Sequence, residues 1–278
     1  MSDIKILALD LDGTLFTTDK KVSEENKVAL KAAREKGIKV VITTGRPLKA
    51  IGNLLEDLEL VSDEDYSITF NGGLVQQNTG KILAKTAMTR QEVEDIHEEL
   101  YQVGLPTDIL SEGTVYSIAN KGHHSQYHLA NPLLEFIEVD DLEQVPKDVV
   151  YNKIVSVIDA TYLDQQIAKL PDRLKVDYEM FKSRDIILEL MPKGVHKAVG
   201  LELLTKHLGL DSSQVMAMGD EANDLSMLEW AGLGVAMANG IPEAKAIAKA
   251  TTICNNDESG VAEAIGKYIL SEENYGII

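Results

Sequence analysis

The sequence has a single cysteine, Cys254, in 278 residues, which excludes an internal disulfide and favours a reducing compartment. It has no uninterrupted apolar run of the roughly 18 residues that a membrane-spanning helix needs, so we expect no membrane partner. Lysine and arginine are scarce, 27 against 45 aspartates and glutamates, and the formal net charge is -18. Because such a surface repels phosphate backbones, we expect no nucleic-acid partner. The first residues lack a basic leader and a cleavage site, and we therefore predict a cytoplasmic protein.

The remaining composition is typical of a folded globular protein, with 44% apolar and 26% charged residues. The length suits one large or two modest domains. Strand and helix patterns alternate in both terminal parts of the chain, which indicates βαβ crossovers and a parallel sheet. The predicted core strands are residues 4–9, 38–43, 68–70, 215–218, 233–236 and 251–254, and the predicted core helices begin at Ser23, Lys197, Leu225, Pro242 and Ser259.

The middle of the chain has a different pattern. A hairpin is predicted around Asn78-Thr79-Gly80, and a capping box from Thr89 to Glu92 opens a helix. Half-exposed strands are predicted at residues 115–118, 153–157 and 186–190, with a helix at 161–170. We therefore predict an α/β fold in which residues 1–83 and 192–278 form a Rossmann-like core with a parallel sheet. Residues 84–191 are predicted to form an inserted α+β domain.

Polar side chains follow the predicted core strands at the points where the strands end. In an open parallel sheet, ligands bind beyond the carboxyl ends of the strands, near the switch in strand order. Lys197 opens the helix before the fourth core strand, so it reaches the same edge of the sheet. The residues expected to converge with it are Asp10, Asp12, Thr43, Thr44, Asn71, Asp220, Asn223 and Asp224.

This set of residue types is suited to phosphoryl transfer. Converging carboxylates repel one another unless a hard divalent cation neutralises them, and Mg²⁺ is the usual cation beside phosphate. An aspartate such as Asp10 can act as a nucleophile and form an aspartyl-phosphate, while Lys197 and the metal spread the phosphoryl charge. From two residues beyond, Asp12 can protonate the leaving alcohol and then deprotonate water. Hydrogen bonds to the phosphoryl oxygens would come from Thr44 or Thr43 and from the backbone N–H groups of Leu11 and Asp12.

Four motifs together resemble those of the haloacid dehalogenase-like (HAD) phosphatases. They are D-L-D-G-T at residues 10–14, T-G-R at residues 44–46, Lys197, and G-D-x-x-N-D at residues 219–224. The tract from 218 to 239 resembles the Cof-type, YidA-like subfamily. The resemblance covers essentially the whole chain, and the insertion after the third strand implies a type-IIB (C2B) cap domain that sets substrate specificity. It also implies a Mg²⁺-dependent phosphatase that acts on small phosphate monoesters, with sugar phosphates as the expected class.

The resemblance implies a role for each matching residue. Asp10 would be the nucleophile, Asp12 the general acid and base, and Lys197 a further catalytic residue. The Mg²⁺ ion would be bound by the Asp10 and Asp220 side chains and the Asp12 backbone carbonyl. Asp224 would contact the metal or its water, or orient Lys197. The residues expected to bind phosphate or substrate are Leu11, Thr43, Thr44, Gly45, Arg46, Asn71, Lys197 and Asn223.

Two other functions are compatible with these residues. A phosphotransferase or sugar phosphomutase would pass the phosphoryl group from the same aspartyl-phosphate to a sugar instead of water. A non-catalytic switch, such as a receiver domain, also combines an acidic cluster, a phospho-accepting aspartate, a hydroxyl and a lysine. The inserted domain and Asp12 count against a switch, because Asp12 would accelerate dephosphorylation. A small phosphate ester is the expected partner, and we expect a monomer or a weak homodimer.

Overall fold

The structure is a computed structural model, and it describes residues 4–270. The predicted ends of the core, residues 1–3 and 271–278, lie outside the described residues. The strands in chain order are β1 (Ile6–Leu9), β2 (Lys39–Thr43), β3 (Tyr66–Thr69), β4 (Leu74–Gln77), β5 (Ile82–Lys85), β6 (Thr107–Ser111), β7 (Thr114–Ile118), β8 (Glu135–Val139), β9 (Lys153–Val157), β10 (Tyr178–Arg184), β11 (Ile187–Pro192), β12 (Val215–Gly219), β13 (Leu233–Ala236) and β14 (Ala250–Thr251).

Helices connect most of these strands. They are α1 (Glu24–Glu35), α2 (Leu54–Asp57), α3 (Arg90–Val103), α4 (Tyr127–Ala130), α5 (Ala160–Ile167), α6 (Arg173–Asp177), α7 (Lys197–Leu208), α8 (Leu225–Trp230), α9 (Pro242–Ile247) and α10 (Gly260–Tyr268). Short 3-10 helices lie at Leu48–Ile51, Phe70–Gly72, Leu142–Gln144, Ser212–Gln214, Ala222–Asp224 and Asn256–Glu258. None of the helices between residues 4 and 270 is long and apolar enough to cross a membrane.

The first unit is built on a sheet with the strand order β14-β13-β12-β1-β2-β3-β4-β5. The pairs from β14 to β3 are parallel, and β4 runs antiparallel to β3. From β1, the strands β2 and β3 are added on one side of the sheet, and β12, β13 and β14 are added on the other side. The strand order therefore switches beside β1. A ligand site is therefore expected at the carboxyl end of β1. The predicted α/β fold with a parallel core sheet is confirmed.

Helices cover both faces of this sheet. Alternate residues of a strand point to opposite faces, and Ile6 and Ala8 pack in one cluster with Leu201 of α7 and Met227 of α8. On the opposite face, α1 packs against β2 and against α10. The burial of both faces explains why β1 is a continuous apolar run.

Among the predicted core strands, only residues 233–236 have the observed bounds, and the third and last strands differ for identifiable reasons. The third strand ends at Thr69 because Phe70 and Asn71 adopt left-handed φ angles of 52° and 53°. The last strand is Ala250–Thr251 rather than residues 251–254. There, the N–H groups of Ile253 and Cys254 donate to the Glu263 carboxylate at 2.9 and 2.8 Å, so they pair with a side chain instead of a neighbouring strand.

The second unit contains a sheet with the strand order β10-β11-β9-β6-β7-β8. Adjacent strands are antiparallel except β7 and β8, which are parallel. Helices α3, α5 and α6 contribute Ile96, Leu163 and Leu174 to the apolar core on one face. Asp108 and Glu189 both lie opposite Val155 in the strand register, and they therefore belong to the other face.

The chain divides into two compact units. Of the described residues, the first comprises 4–45, 53–84 and 196–270, and the second comprises 46–52 and 85–195. The predicted boundaries placed residues 46–52 and 192–195 in the core, whereas these residues cluster with the second unit. In the second unit, a Cβ on Gly113 would lie 2.7 Å from the Lys49 side chain, so the segment packs closely against the β6–β7 turn.

Candidate active site

A sharp turn follows β1 and begins at Asp10. The Asp10 N–H donates to the Met218 carbonyl of β12 at 3.1 Å, one residue beyond the end of β1. Gly13 has a φ of +83°, and a Cβ at this position would lie 2.1 Å from Asp220 Oδ2. Only glycine fits such a conformation at such a close approach. The turn therefore presses directly against the loop that follows β12.

Lys197 lies in the first turn of α7 and connects two of the predicted carboxylates. Its Nζ donates to Asp10 Oδ1 at 2.5 Å and to Asp224 Oδ1 at 2.6 Å. The Lys197 and Asp224 side chains are fully buried, and Asp10 is 6% exposed. A Cβ on Gly72 would lie 2.2 Å from the His196 carbonyl, so a glycine there allows the start of α7 to approach the sheet edge.

The loop after β12 holds Asp220 and Asp224 in fixed orientations. Thr14 Oγ1 donates to Asp220 Oδ1 at 2.8 Å. The second oxygen of Asp224 accepts the N–H groups of Asp220 at 2.9 Å and Glu221 at 3.0 Å. Both Asp224 oxygens therefore have hydrogen-bond donors: Lys197 Nζ for Oδ1, and two backbone N–H groups for Oδ2.

The residues present fit a divalent cation. Ligand atoms of Asp10, Asp220 and Asp224 lie within 4.8 Å of one another. Three carboxylates and one ammonium carry a formal charge of minus two, and buried charge of this size requires a counter-charge. All the donor atoms are carboxylate oxygens, which suit Mg²⁺. The Asp12 side chain is not in this group, but the prediction for Asp12 concerned its backbone carbonyl.

The electrostatics of the cluster agree with this interpretation. Burial raises the pKa of Asp10 to about 8, against the opposing charge of Lys197 and with a further contribution from Asp224. Burial also raises the pKa of Asp220 to about 7, although the Thr14 hydrogen bond favours the carboxylate. The pKa of Lys197 is raised: burial opposes this, but the charges of Asp10 and Asp224 outweigh it. A cation at this position would favour the charged form of both carboxylates.

A second group of predicted residues lies together beside β2 and β3. The Thr44 N–H donates to the Ile68 carbonyl at 2.8 Å, and the Asn71 N–H donates to the Thr44 carbonyl at 3.0 Å. Asn223 Nδ2 donates to Asn71 Oδ1 at 3.2 Å. A Cβ on Gly45 would lie 2.9 Å from the same oxygen, so the glycine allows this approach. The structure thus brings together Thr44, Gly45, Asn71 and Asn223.

The remaining predicted residues have other surroundings. Thr43 is buried, and its hydroxyl donates to the Val41 carbonyl at 3.5 Å within its own strand. The Leu11 side chain is fully buried, so any contact with a ligand would come from its backbone. The Asp12 side chain is 34% exposed and pairs with Lys20. Arg46 belongs to the second unit, where its charge acts on the buried phenol of Tyr127.

Two residues that hold the site together were not predicted. Thr14 orients Asp220, and Asn239 Nδ2 donates to the Gly13 carbonyl at 2.8 Å. Both lie inside motif tracts quoted from the sequence, but their partners are 206 and 226 residues away. The one available signal was local: Thr14 is a hydroxyl residue directly after Gly13, in the turn that carries Asp10 and Asp12.

Comparisons with known proteins agree with this geometry. A model of the haloacid dehalogenase-like hydrolase family matches residues 7–265. A candidate phosphatase of Streptococcus pyogenes is 37% identical over 270 residues, which cover 96% of this chain and 99% of the relative. A solved haloacid dehalogenase-like hydrolase from Bacteroides thetaiotaomicron has a TM-score of 0.83 at 31% identity, over 94% of this chain and 98% of its own. A sugar phosphatase of HAD subclass IIB has a TM-score of 0.79 at 26% identity, over 96% and 100% of the two chains.

The family model spans the turn after β1, the start of α7 and the loop after β12, which are the segments that form the carboxylate cluster. The predicted family is confirmed. By its motifs, its fold and its relatives, the chain belongs to the haloacid dehalogenase-like hydrolases.

Proposed function

We propose that the protein is a Mg²⁺-dependent phosphatase that hydrolyses small phosphate monoesters, with sugar phosphates as the preferred class, through an aspartyl-phosphate on Asp10. The observation that carries the proposal is the contact of Lys197 with Asp10 and Asp224, beside Asp220, in a buried cluster of hard oxygen ligands. A nucleophile, a fixed positive charge and a cation site within a few ångströms are what phosphoryl transfer requires.

Asp10 Oδ attacks the phosphorus atom, and the bond between phosphorus and the alcohol oxygen breaks. Asp12 gives its proton to the alcohol oxygen as the alcohol leaves, and the carboxylate that remains takes a proton from the water that hydrolyses the aspartyl-phosphate. Lys197 neutralises part of the charge on the phosphoryl oxygens. Thr44 and Asn223 hold these oxygens by hydrogen bonds, together with the backbone N–H groups of the turn after β1.

Asp10, Asp220 and the Asp12 backbone carbonyl are the proposed Mg²⁺ ligands. When bound, the ion would neutralise the carboxylates and the substrate phosphate and polarise the phosphoryl group. We assign Asp224 to the positioning of Lys197, because both of its oxygens accept hydrogen bonds within the loop and from the lysine.

The substrate class is supported by the likeness to a sugar phosphatase of HAD subclass IIB. We assign the recognition of the alcohol portion to the second unit, as a cap domain.

The test is a panel of phosphate monoesters incubated with the protein and Mg²⁺, scored as kcat/KM from phosphate release. We expect sugar phosphates to be cleaved best. Folded protein that releases phosphate from no ester would contradict the proposal. A reaction that requires a sugar acceptor instead of water would identify a phosphotransferase or mutase. An aspartyl-phosphate that persists for minutes to hours would identify a switch.

A further inference from the structure

Lys20 lies outside the four motifs but contacts the predicted acid and base. Its Nζ lies 2.6 Å from Asp12 Oδ1. The two side chains are 53% and 34% exposed, respectively, so the pair is accessible to solvent. An exposed ion pair contributes little to the stability of a fold. A contribution to the stability of the fold therefore does not account for the contact between Lys20 and Asp12.

The turn that carries Lys20 is anchored at several points. The Thr17 N–H donates to the Lys21 carbonyl at 2.8 Å, and the Lys20 N–H donates to the Thr17 carbonyl at 2.9 Å. The N–H and the hydroxyl of Thr18 each donate to a different oxygen of Asp257 at 2.7 Å. The loop before α10 thus fixes the turn in place.

Lys20 itself has an unfavourable backbone conformation. Its φ of 60° lies in the left-handed region, which lysine adopts rarely because of its Cβ. Such a conformation persists only where the surrounding contacts require it, and strained residues of this kind cluster at functional sites. Here the anchored turn provides those contacts, and the consequence is a lysine ammonium held against Asp12 Oδ1.

We propose that Lys20 is a positioning residue for Asp12, an inference that rests on the proposed phosphatase function. The Lys20 ammonium contacts Oδ1 and thereby fixes the orientation of the Asp12 carboxyl group. In the first step the carboxyl proton of Asp12 passes to the alcohol oxygen as the phosphorus–oxygen bond breaks and the bond from Asp10 to phosphorus forms. The Asp12 carboxylate that remains keeps its orientation beside Lys20 for the attack of water. A general acid is efficient only when it is held in the geometry of proton transfer.

The test compares two substrates whose leaving groups differ in whether they must be protonated by a general acid. An alkyl phosphate, such as a hexose 6-phosphate, has a leaving alcohol that must be protonated, whereas 4-nitrophenyl phosphate has a leaving group that departs as the anion. The variants are Lys20→Met, the conservative Lys20→Arg, and Lys21→Met as a matched control on the same turn. For each variant, kcat/KM is measured with both substrates, and thermal unfolding verifies the fold.

For Lys20→Met we expect kcat/KM to fall about tenfold with the alkyl phosphate and less than about twofold with 4-nitrophenyl phosphate. Lys20→Arg should recover most of the loss, and Lys21→Met should resemble the wild type with both esters. Equal losses with both esters would overturn the inference, because they would place Lys20 on the phosphoryl group or in the fold. An unchanged Lys20→Met would overturn it as well. Wild-type protein that cleaves neither ester would instead contradict the proposed phosphatase function itself.

Discussion

The Lys197 ammonium lies 2.6 Å from Asp224 Oδ1, and neither side chain is exposed to solvent. The other oxygen of Asp224 is fixed by two backbone N–H groups of its own loop. The orientation of the lysine is therefore set by a carboxylate that cannot rotate without losing buried hydrogen bonds. This relationship ties the start of α7 to the loop after β12, and it holds Nζ against Asp10.

Replacing Asp224 tests this relationship. Asp224→Asn removes the charge and one acceptor, and Lys197 then faces a single carboxylate in a buried site. We expect kcat to fall by roughly 10²-fold or more, and the free energy of unfolding to fall by about 3 kcal/mol. Steady-state kinetics and urea unfolding measure the two effects. The exposed Glu229→Gln on α8 is the matched control, and an Asp224→Asn variant with wild-type kcat would contradict the positioning role.

Replacing the nucleophile should stop turnover. In Asp10→Asn the amide cannot form the acyl-phosphate, so we expect a loss of at least about 10³-fold in kcat. Mass spectrometry of acid-quenched wild-type enzyme during turnover should detect one added phosphoryl group on the peptide that contains Asp10. The same peptide from the variant should stay unmodified. Label on another residue would assign the nucleophile elsewhere.

Replacing Gly13 tests how closely the turn after β1 and the loop after β12 must approach each other. Gly13→Ala adds a Cβ that would lie 2.1 Å from Asp220 Oδ2 at a φ of +83°. Gly80→Ala is the matched control, because Gly80 also has a positive φ but nothing within 4 Å of its Cβ position. Backbone strain alone costs about 1–2 kcal/mol, so Gly80→Ala should lose that much stability and retain its activity. Gly13→Ala should lose more stability and at least about tenfold in kcat/KM, because Asp220 must shift.

Removing the divalent ion should abolish activity reversibly. With a chelator, phosphate release should cease, and added Mg²⁺ should restore it. Mg²⁺ should also raise the unfolding temperature, since an ion that binds only the folded state stabilises it. Asp220→Asn should lose most of this thermal shift, while the exposed Asp19→Asn should keep it. An unchanged shift in Asp220→Asn would exclude Asp220 as a ligand.

A buried carboxyl in the second unit gives a pH-dependent stability. Asp108 is fully buried on β6 and accepts hydrogen bonds from Ser117 and Ser125, yet burial raises its pKa to about 6. A carboxyl with a raised pKa in the folded state destabilises the fold as the pH rises, because its ionisation is favoured in the unfolded chain. The free energy of unfolding of Asp108→Asn minus that of the wild type should therefore be about 1–2 kcal/mol more positive at pH 7.5 than at pH 5. Urea unfolding at the two pH values measures it, and a difference that does not change with pH would contradict the cause.

Much of the core could be predicted because its signals are local. Apolar runs, capping residues and glycines lie next to one another in the sequence. They predicted the first residues of α7 and α8 and both bounds of β13, and in the second unit both bounds of β9. Strands with mixed polar and apolar residues were missed. For example, β6 carries Asp108, and β8 is half-exposed along its length, so neither has a clear apolar period.

The chain order of strands and the residues at their carboxyl ends were enough to predict that Asp10, Lys197, Asp220 and Asp224 would meet, since parallel strands share one edge. The hydrogen-bond partner of each side chain could not be predicted from the order of the strands. The contacts of Lys197 with Asp10 and Asp224 and of Thr14 with Asp220 depend on close approaches between distant segments. The contact of Lys20 with Asp12 depends on the backbone angles of a turn. The reason is physical: a periodic pattern selects secondary structure and the face that is buried, whereas hydrogen-bond pairing depends on distances of a few tenths of an ångström that arise only when the elements pack.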